Sequence, residues 1–272
     1  MTKDINVRQE DILRITTALE AAAEVLQPYI TTAVPFELKQ KGEPVTAADR
    51  AVNQLLFQLL PRRDEGWLSE ETADDLGRLH KRRVWVVDPL DGTREFIAGI
   101  PEWCVSIGLV DDGWAVAGGI YNVATGEMFL GSTATGVKIN GNPPRIRQLK
   151  DLKDAEVLAS RSEVNRGEWD CFKDAPFAIR PVGSVAYKLA CVAAGRADAT
   201  WTLVPKHEWD VAAGVALVIA AGGSVKTLRG LTPSFNQSEP LLGGLLAFGR
   251  GSQELFRPFS DKWLLGGRQA GR

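Results

Sequence analysis

The chain has 272 residues, 44% apolar and 24% charged, enough for a large core and ordinary for a folded soluble protein. Its 32 Lys and Arg against 34 Asp and Glu leave a net charge of −2, so the basic excess of a nucleic-acid-polymer binder is missing. The polar start Met1-Thr2-Lys3-Asp4 carries no apolar signal core, and no stretch reaches the ~18 apolar residues of a membrane span, so a cytoplasmic location away from membranes is expected.

Ile12, Ile15, Leu19, Ala22 and Leu26 recur at helical spacing before Pro28, which predicts a first amphipathic helix. Residues 31–43, with Pro35, Lys39, Lys41 and Gly42, have no period and read as a loop. Thr46 then opens a second helix backed by Leu55, Leu56, Leu59 and Leu60. Its Thr-x-x-Asp spacing to Asp49 resembles a capping box, so Asp49 could be no more than a cap.

Residues 67–71 read as a short strand ending in Glu70-Glu71, and 72–83 as a charged, solvated loop. Val84-Trp85-Val86-Val87 is an apolar run for a buried strand, followed at once by Asp88-Pro89-Leu90-Asp91-Gly92-Thr93. A sharp turn supplied by Pro89 and Gly92 is expected to bring the two carboxylates to one point. Two hard oxygen anions held together repel each other unless a cation sits between them, so the segment reads as a Mg²⁺ site with a hydroxyl beside it.

Runs 103–110 and 114–121 flank Asp111-Asp112-Gly113, a strong hairpin signal, and 127–130 adds a third strand. The turn-rich 140–144 marks a change of character. Beyond it the pattern alternates: strand 157–160, helix near 163–174, strand 178–182, helix 185–194, strand 198–203, helix 211–221 and strand 224–227. The expectation is an α+β half over 1–138 and an α/β half over 139–272.

Cys104, Cys171 and Cys191 are widely spaced with no C-x-x-C, which argues against a disulfide framework or a zinc site. His80 and His207 are the two histidines, and no G-x-S-x-G, G-x-x-x-x-G-K-[ST] or G-x-G-x-x-G is present. The eight tryptophans read as core fillers, with Trp201 and Trp209 the two that could face a base.

Each acid has a plain alternative: Glu70-Glu71 a solvated pair, Asp88 and Asp91 turn formers, Asp210 an N-cap. The set carries more, because strand ends and helix starts are where such sheets place ligands. Carboxylates from separate segments can share two or three Mg²⁺ ions, and two ions about 4 Å apart form a clamp for phosphoryl displacement. A helix beginning at Asp210 adds a dipole that favours an anionic ligand.

Six segments together resemble the lithium-sensitive, Mg²⁺-dependent phosphatases of the inositol monophosphatase superfamily. They are 44–49 (Pro-Val-Thr-Ala-Ala-Asp), 69–71 (Ser-Glu-Glu), 88–96 (Asp-Pro-Leu-Asp-Gly-Thr-Arg-Glu-Phe), Gly183-Ser184, 209–214 (Trp-Asp-Val-Ala-Ala-Gly) and 221–223 (Ala-Gly-Gly). Ser160-Arg161-Ser162 and 205–210 resemble the CysQ-type 3′(2′),5′-bisphosphate nucleotidases within it.

The resemblance implies a layered α-β-α-β-α sandwich. It implies that Glu70, Asp88 and the Leu90 carbonyl hold one metal, and that Asp88, Asp91 and Asp210 hold a second. Glu70 would also face a third metal near the 31–43 loop. Thr93, bonded to Asp49, would help Glu70 activate a water. Gly92 and Thr93 N–H groups would bind phosphate, Gly183, Ser184 and Asp210 would border the leaving group, and Arg161 and Lys206 would meet a second phosphate.

Leu203, Val204 and Pro205 stand where inositol monophosphatases carry an acid for inositol hydroxyls, and Ala220 replaces another family acid. The expected activity is therefore release of the 3′-phosphate of adenosine 3′,5′-bisphosphate, with Mg²⁺ as cofactor, two to three ions per site, and Li⁺ as inhibitor. Inositol 1-phosphate or fructose 1,6-bisphosphate is the alternative substrate, and a catalytically silent metal-binding regulator the alternative class. The expected partner is a small phosphorylated molecule, with the protein a monomer or homodimer.

Overall fold

The computed structural model describes residues 2–30, 35–38 and 44–266. In chain order the elements begin with α1 (Thr2–Ile30), β1 (Phe36–Leu38), β2 (Pro44–Thr46), α2 (Ala47–Leu59), β3 (Glu65–Ser69), β4 (Arg83–Asp91) and α3 (Thr93–Ile97). Then come β5 (Cys104–Asp111), β6 (Trp114–Asn122), β7 (Glu127–Ser132), β8 (Gly136–Ile139), β9 (Glu156–Ser160), α4 (Arg161–Asn165), β10 (Ala178–Val182) and α5 (Val185–Ala193). The chain continues through β11 (Ala199–Thr202), β12 (Lys206–His207), α6 (Glu208–Ala220), β13 (Ser224–Thr227), β14 (Leu241–Leu242), β15 (Leu245–Phe248) and α7 (Gln253–Gly266).

A six-stranded sheet in the order β3-β4-β5-β6-β7-β8 and a five-stranded sheet in the order β10-β9-β11-β15-β13 carry the architecture. In the first, β3 and β4 are parallel and the other neighbours antiparallel. The second is mixed, with β9 parallel to β10 and β11 while β15 runs antiparallel to both its neighbours. Period-2 alternation sorts side chains between layers. On β4, Trp85 and Val87 join the core with Ile15, Leu19 and Leu26 of α1 and Val52 and Leu56 of α2. Val84 and Val86 point the other way, into the core with Leu189 of α5 and Val211 and Val215 of α6. On β15, Leu245 and Ala247 face that middle layer, whereas Leu246 and Phe248 meet Trp201 and Phe256 of α7 on the far side. The result is the expected α-β-α-β-α sandwich.

Helix α6 is apolar all round and is the hub. Its small residues let it lie almost backbone to backbone on the first sheet. A Cβ at Gly118 would stand 2.4 Å from the Ala213 carbonyl oxygen, and one at Gly108 2.9 Å from Ala212 Cβ. That close approach is what Ala212-Ala213-Gly214 permits.

Several expectations change. Residues 31–43 are not all loop: Phe36–Leu38 pairs antiparallel with Pro44–Thr46, while 31–34 and 39–43 lie outside the described residues. Pro28 does not end α1, which runs through it to Ile30. The helix expected near 163–174 is only α4 and a separate 3-10 turn at Asp170–Phe172. Helix α6 starts at Glu208, three residues before the expected 211. The 72–83 segment is not simply solvated, because Arg78 within it is 2% exposed. Its guanidinium bonds Asp74 at 2.7 Å and the Asn236 side chain and Gln237 carbonyl at 2.8 Å each. Trp201 lies in the far core stacked on Trp169 at 5.1 Å, away from the acid-lined cleft.

The contact between α6 and the sheet yields a stability prediction. Gly118→Ala is expected to cost about 1–3 kcal/mol, the usual cost of overpacking. Gly243→Ala, whose Cβ would meet nothing within 4 Å, should leave the denaturation midpoint near wild type. Urea unfolding of the two variants checks this, and equal midpoints would contradict it.

Candidate active site

Asp88 and Asp91 both lie in β4, which does not turn between them. Residues three apart on a regular strand point to opposite faces. The structure resolves this with a β-bulge in place of the expected sharp turn. Asp88 pairs with Ser106 and Asp91 with Cys104, so three steps on β4 match two on β5. The extra residue re-aims the strand, and both carboxylates line one cleft of about 570 Å³. Pro89, with no N–H to pair, suits the unpaired position of such a bulge. The turn itself falls at Gly92, whose φ of 95° is left-handed and whose Cβ would stand 2.9 Å from the Glu102 carbonyl oxygen.

The cleft also collects Glu70 from the end of β3, Thr93 from the start of α3 and Asp210 from the first turn of α6. Leu90, Gly92, Gly183, Ser184, Arg161 and Lys206 line it as well. Every sequence-nominated residue except Asp49 therefore reaches the cleft wall. Asp49 stands behind it, 2% exposed, and acts as a capping-box partner for Thr46. Its Oδ2 accepts from the Thr46 N–H at 2.7 Å, and its Oδ1 lies 3.3 Å from Thr93 Oγ1. The Thr93 hydroxyl proton has a second acceptor in the Leu90 carbonyl at 3.1 Å.

Helix starts hold the other acids. Asp91 Oδ2 accepts from Ser184 Oγ and from the Ala186 N–H, each at 2.6 Å, so the N-terminus of α5 points at it. Ser184 pays for this with a φ of 46°. Asp210 is not the N-cap of α6; His207 is, and Asp210 three residues on accepts the His207 N–H at 2.9 Å. Asp88 Oδ1 accepts the Leu90 N–H at 2.9 Å. Just before Asp210, Glu208 is fully buried and accepts the N–H groups of Asn236 at 2.7 Å and Gln237 at 2.9 Å. Arg78 grips the same two residues, so a distant loop fixes the helix end that presents Asp210.

Burial, reinforced by Glu70, Asp91 and Asp210, pushes the Asp88 carboxyl well above the usual range. Asp210 keeps partial exposure through the cleft, yet the protein around it, then Asp91 and Glu70, raises it as well. Among the described residues no three His, Cys, Asp or Glu side chains close into a preformed cage. The acids line an open wall as an all-oxygen donor set, with the Leu90 carbonyl among them. Such hard, mutually repelling oxygens fit a hard divalent cation such as Mg²⁺.

Sequence reasoning missed Lys188, 2% exposed in the apolar face of α5. Its Nζ donates to the carbonyls of Val182, Gly183 and Ser184 at 3.3, 3.3 and 2.9 Å, holding the turn that grips Asp91. Burial pulls its ammonium down to about 8. A lone lysine inside Val185–Ala193 was the available signal. Glu95 and Glu102 were also missed. Arg161 and Lys206, nominated for a second phosphate, each already have an acid: Arg161 Nη2 bonds Glu102 at 2.5 Å, and Lys206 stands 3.9 Å from the buried Glu163.

Fold and site together define a phosphatase of the layered sandwich type. The family model described as the inositol monophosphatase family matches residues 8–252. An inositol-1-monophosphatase of Mesorhizobium japonicum is 36% identical over 202 residues, covering 71% of this chain and 75% of that protein. The structure of an inositol monophosphatase from Anabaena superposes with a TM-score of 0.77 at 30% identity, covering 95% of this chain and 96% of that one. CysQ from Bacteroides thetaiotaomicron, described as a bacterial member of the family, gives 0.74 at 27%, covering 89% and 98%. The chain belongs to the inositol monophosphatase family, whose members are in general Mg²⁺-dependent phosphatases.

The raised carboxyls have a signed consequence for stability. A carboxyl raised above its ordinary 3.8 keeps a proton that the unfolded chain releases, so stability without metal falls as pH climbs from about 4 through the raised value. Asp88→Asn removes that liability. In chelator, its melting temperature is expected to gain on wild type progressively from pH 4 to pH 8. A constant difference across that range in scanning calorimetry would contradict the electrostatic reading.

Proposed function

We propose that this phosphatase hydrolyses phosphomonoesters at the Asp88–Asp91–Asp210–Glu70 wall, and that its preferred substrate is adenosine 3′,5′-bisphosphate, losing the 3′-phosphate. The observation that carries the reading is the convergence of four carboxylates from β3, β4 and α6 on one cleft beside the Thr93 hydroxyl. Asp88, Asp91 and Asp210 with Glu70 and the Leu90 carbonyl are the residues that would hold Mg²⁺. When bound, Mg²⁺ supplies positive charge to the phosphate and acidifies water.

The chain's own groups do the rest. Gly92 and Thr93 line the cleft at the start of α3, where their backbone N–H groups would meet phosphate oxygens. Thr93, its proton shared between Asp49 and Leu90, presents an oxygen lone pair that can orient a water. Ser184 and the α5 N-terminus fix one oxygen of Asp91 and leave the other to the cleft.

The substrate preference is supported by cations in the same cleft, Arg161, Arg166 and Lys206, which suit an ester carrying further negative charge. Val204 and Pro205 form the wall near Asp210, offering little to a ring of hydroxyls. Likeness to inositol-1-monophosphatases favours a second reading, inositol 1-phosphate as substrate.

Phosphate release from adenosine 3′,5′-bisphosphate, inositol 1-phosphate and fructose 1,6-bisphosphate, with Mg²⁺ and with added Li⁺, separates these. The highest kcat/KM is expected on the first, and equal values on the first two would sink the nucleotide preference. Asp88→Asn is expected to lower kcat by ~10²-fold or more while the protein stays folded. Retained turnover would remove Asp88 from the site.

A further inference from the structure

Two acids at the cleft margin have no part in the chemistry above, Glu95 and Glu102. Glu102 is held rigidly. Its N–H donates to the Ile100 carbonyl at 2.8 Å, and the next residue, Trp103, packs edge-on against Phe96 at 4.9 Å. One of its oxygens, Oε2, accepts twice: from the Gly183 N–H at 2.7 Å and from Arg161 Nη2 at 2.5 Å. It thereby joins the segment before β5 to the start of α4 and to the turn that leads into α5.

Glu95 flanks the same group. Its Oε1 is 3.9 Å from Arg161 Nε, and its side chain lies flat on Gly183, where a Cβ would stand 2.4 Å from Glu95 Cγ. Arg161 is therefore a cation between two carboxylates, its side chain 33% exposed on the cleft wall. Its Nε–H is buried and has no hydrogen-bond acceptor among the described residues. A buried donor left unbonded is costly, so the two acids do not fully satisfy the guanidinium.

We propose that Glu102 is a specificity-determining residue of this phosphatase: by binding Arg161 it cancels cleft charge and weakens the hold on a substrate's second phosphate. The inference rests on the reading that Arg161 meets that second phosphate. Glu102 touches no substrate and acts through Arg161, so it is a positioning residue. In the free cleft the arginine is compensated. An incoming phosphate must compete with Glu102 for the guanidinium, and it gains only the difference. A single-phosphate ester, processed at the acid wall, does not meet this competition.

Glu102→Gln separates charge from scaffolding. The amide oxygen can still accept the Gly183 N–H, so the turn is kept, while the negative charge is gone. The readout compares adenosine 3′,5′-bisphosphate with adenosine 3′-monophosphate as competing ligands against p-nitrophenyl phosphate turnover. The ratio of their inhibition constants isolates the 5′-phosphate. In Glu102→Gln this ratio is expected to shift about fivefold toward the bisphosphate, a screened Coulombic gain at a partly exposed site, and the shift should shrink at high salt. Glu95→Gln should shift it the same way by less, and serves in its place should Glu102→Gln not fold.

An unchanged ratio, or a shift away from the bisphosphate, overturns the proposal. Arg161→Ala distinguishes the two levels of failure. If Arg161→Ala leaves the wild-type ratio unchanged, the second-phosphate reading itself is wrong. If Arg161→Ala weakens the bisphosphate selectively but Glu102→Gln leaves the ratio alone, only the role of Glu102 fails.

Discussion

Like charges held close in a buried place govern this molecule. Asp88 is 2% exposed near the end of β4, with Asp91 three residues on and Asp210 and Glu70 near it. Burying one carboxylate without a partner is costly, and gathering four multiplies the cost. The surroundings return only part of it, with one backbone N–H to Asp88, a serine and a helix N-terminus to Asp91, and one N–H to Asp210. The protein is left with an unmet demand for positive charge at one point. A divalent cation would meet that demand, and a phosphate ester would then be drawn to it. Function here is what remains when a fold holds its carboxylates together and does not neutralise them.

Holding them together explains much of the architecture. The acids come from β3, β4 and α6, separated by more than a hundred residues of chain, so their relative position depends on how α6 lies on the first sheet. The contact of Ala212 and Ala213 with Gly108 and Gly118 sets that distance through near-backbone contact, the stiffest kind available. The end of α6 that bears Asp210 is then fixed separately by Glu208, Asn236, Gln237 and Arg78. Lys188 does the corresponding work for the turn that holds Asp91. None of these groups needs to touch substrate for the site to depend on it.

The two halves and the acids at strand ends were legible in the sequence because their signals are local. The layering and the rest of the cleft set were implied by the family resemblance of six separate segments. The apolar stripe of α1, the Asp-Gly hairpin and the acids at strand ends can each be read within a dozen residues. What escaped depends on pairing across the chain. The bulge between Asp88 and Asp91 exists only in the register of β4 against β5, so a turn was the natural but mistaken reading of Pro89. Arg78 looks like one more surface charge in a basic loop until Asn236, 158 residues away, is seen to bond it. Glu102 looks like a loop acid until Gly183 and Arg161 meet on one of its oxygens. The mixed pairing of the five-stranded sheet likewise required the C-terminal β15, which local pattern left unread.

The same division separates reaction from substrate. The reacting wall is built from the ends of regular elements, where geometry is fixed by sheets and helix dipoles. Such a wall could serve any phosphomonoester that reaches it. Discrimination must come from groups beyond the wall, and here those are charged pairs at the margin, Arg161 with Glu102 and Lys206 with Glu163. In both, the cation that could attract substrate is already opposed by an acid from this chain. A cleft that wanted only more anionic affinity would leave such cations free. Pairing them weakens the hold on a second phosphate, because a ligand must outcompete a fixed carboxylate, and so narrows the gap between bisphosphate and monophosphate esters. On the proposed reading, substrate choice turns on the balance of those pairs, and the acids in them matter as much as the bases.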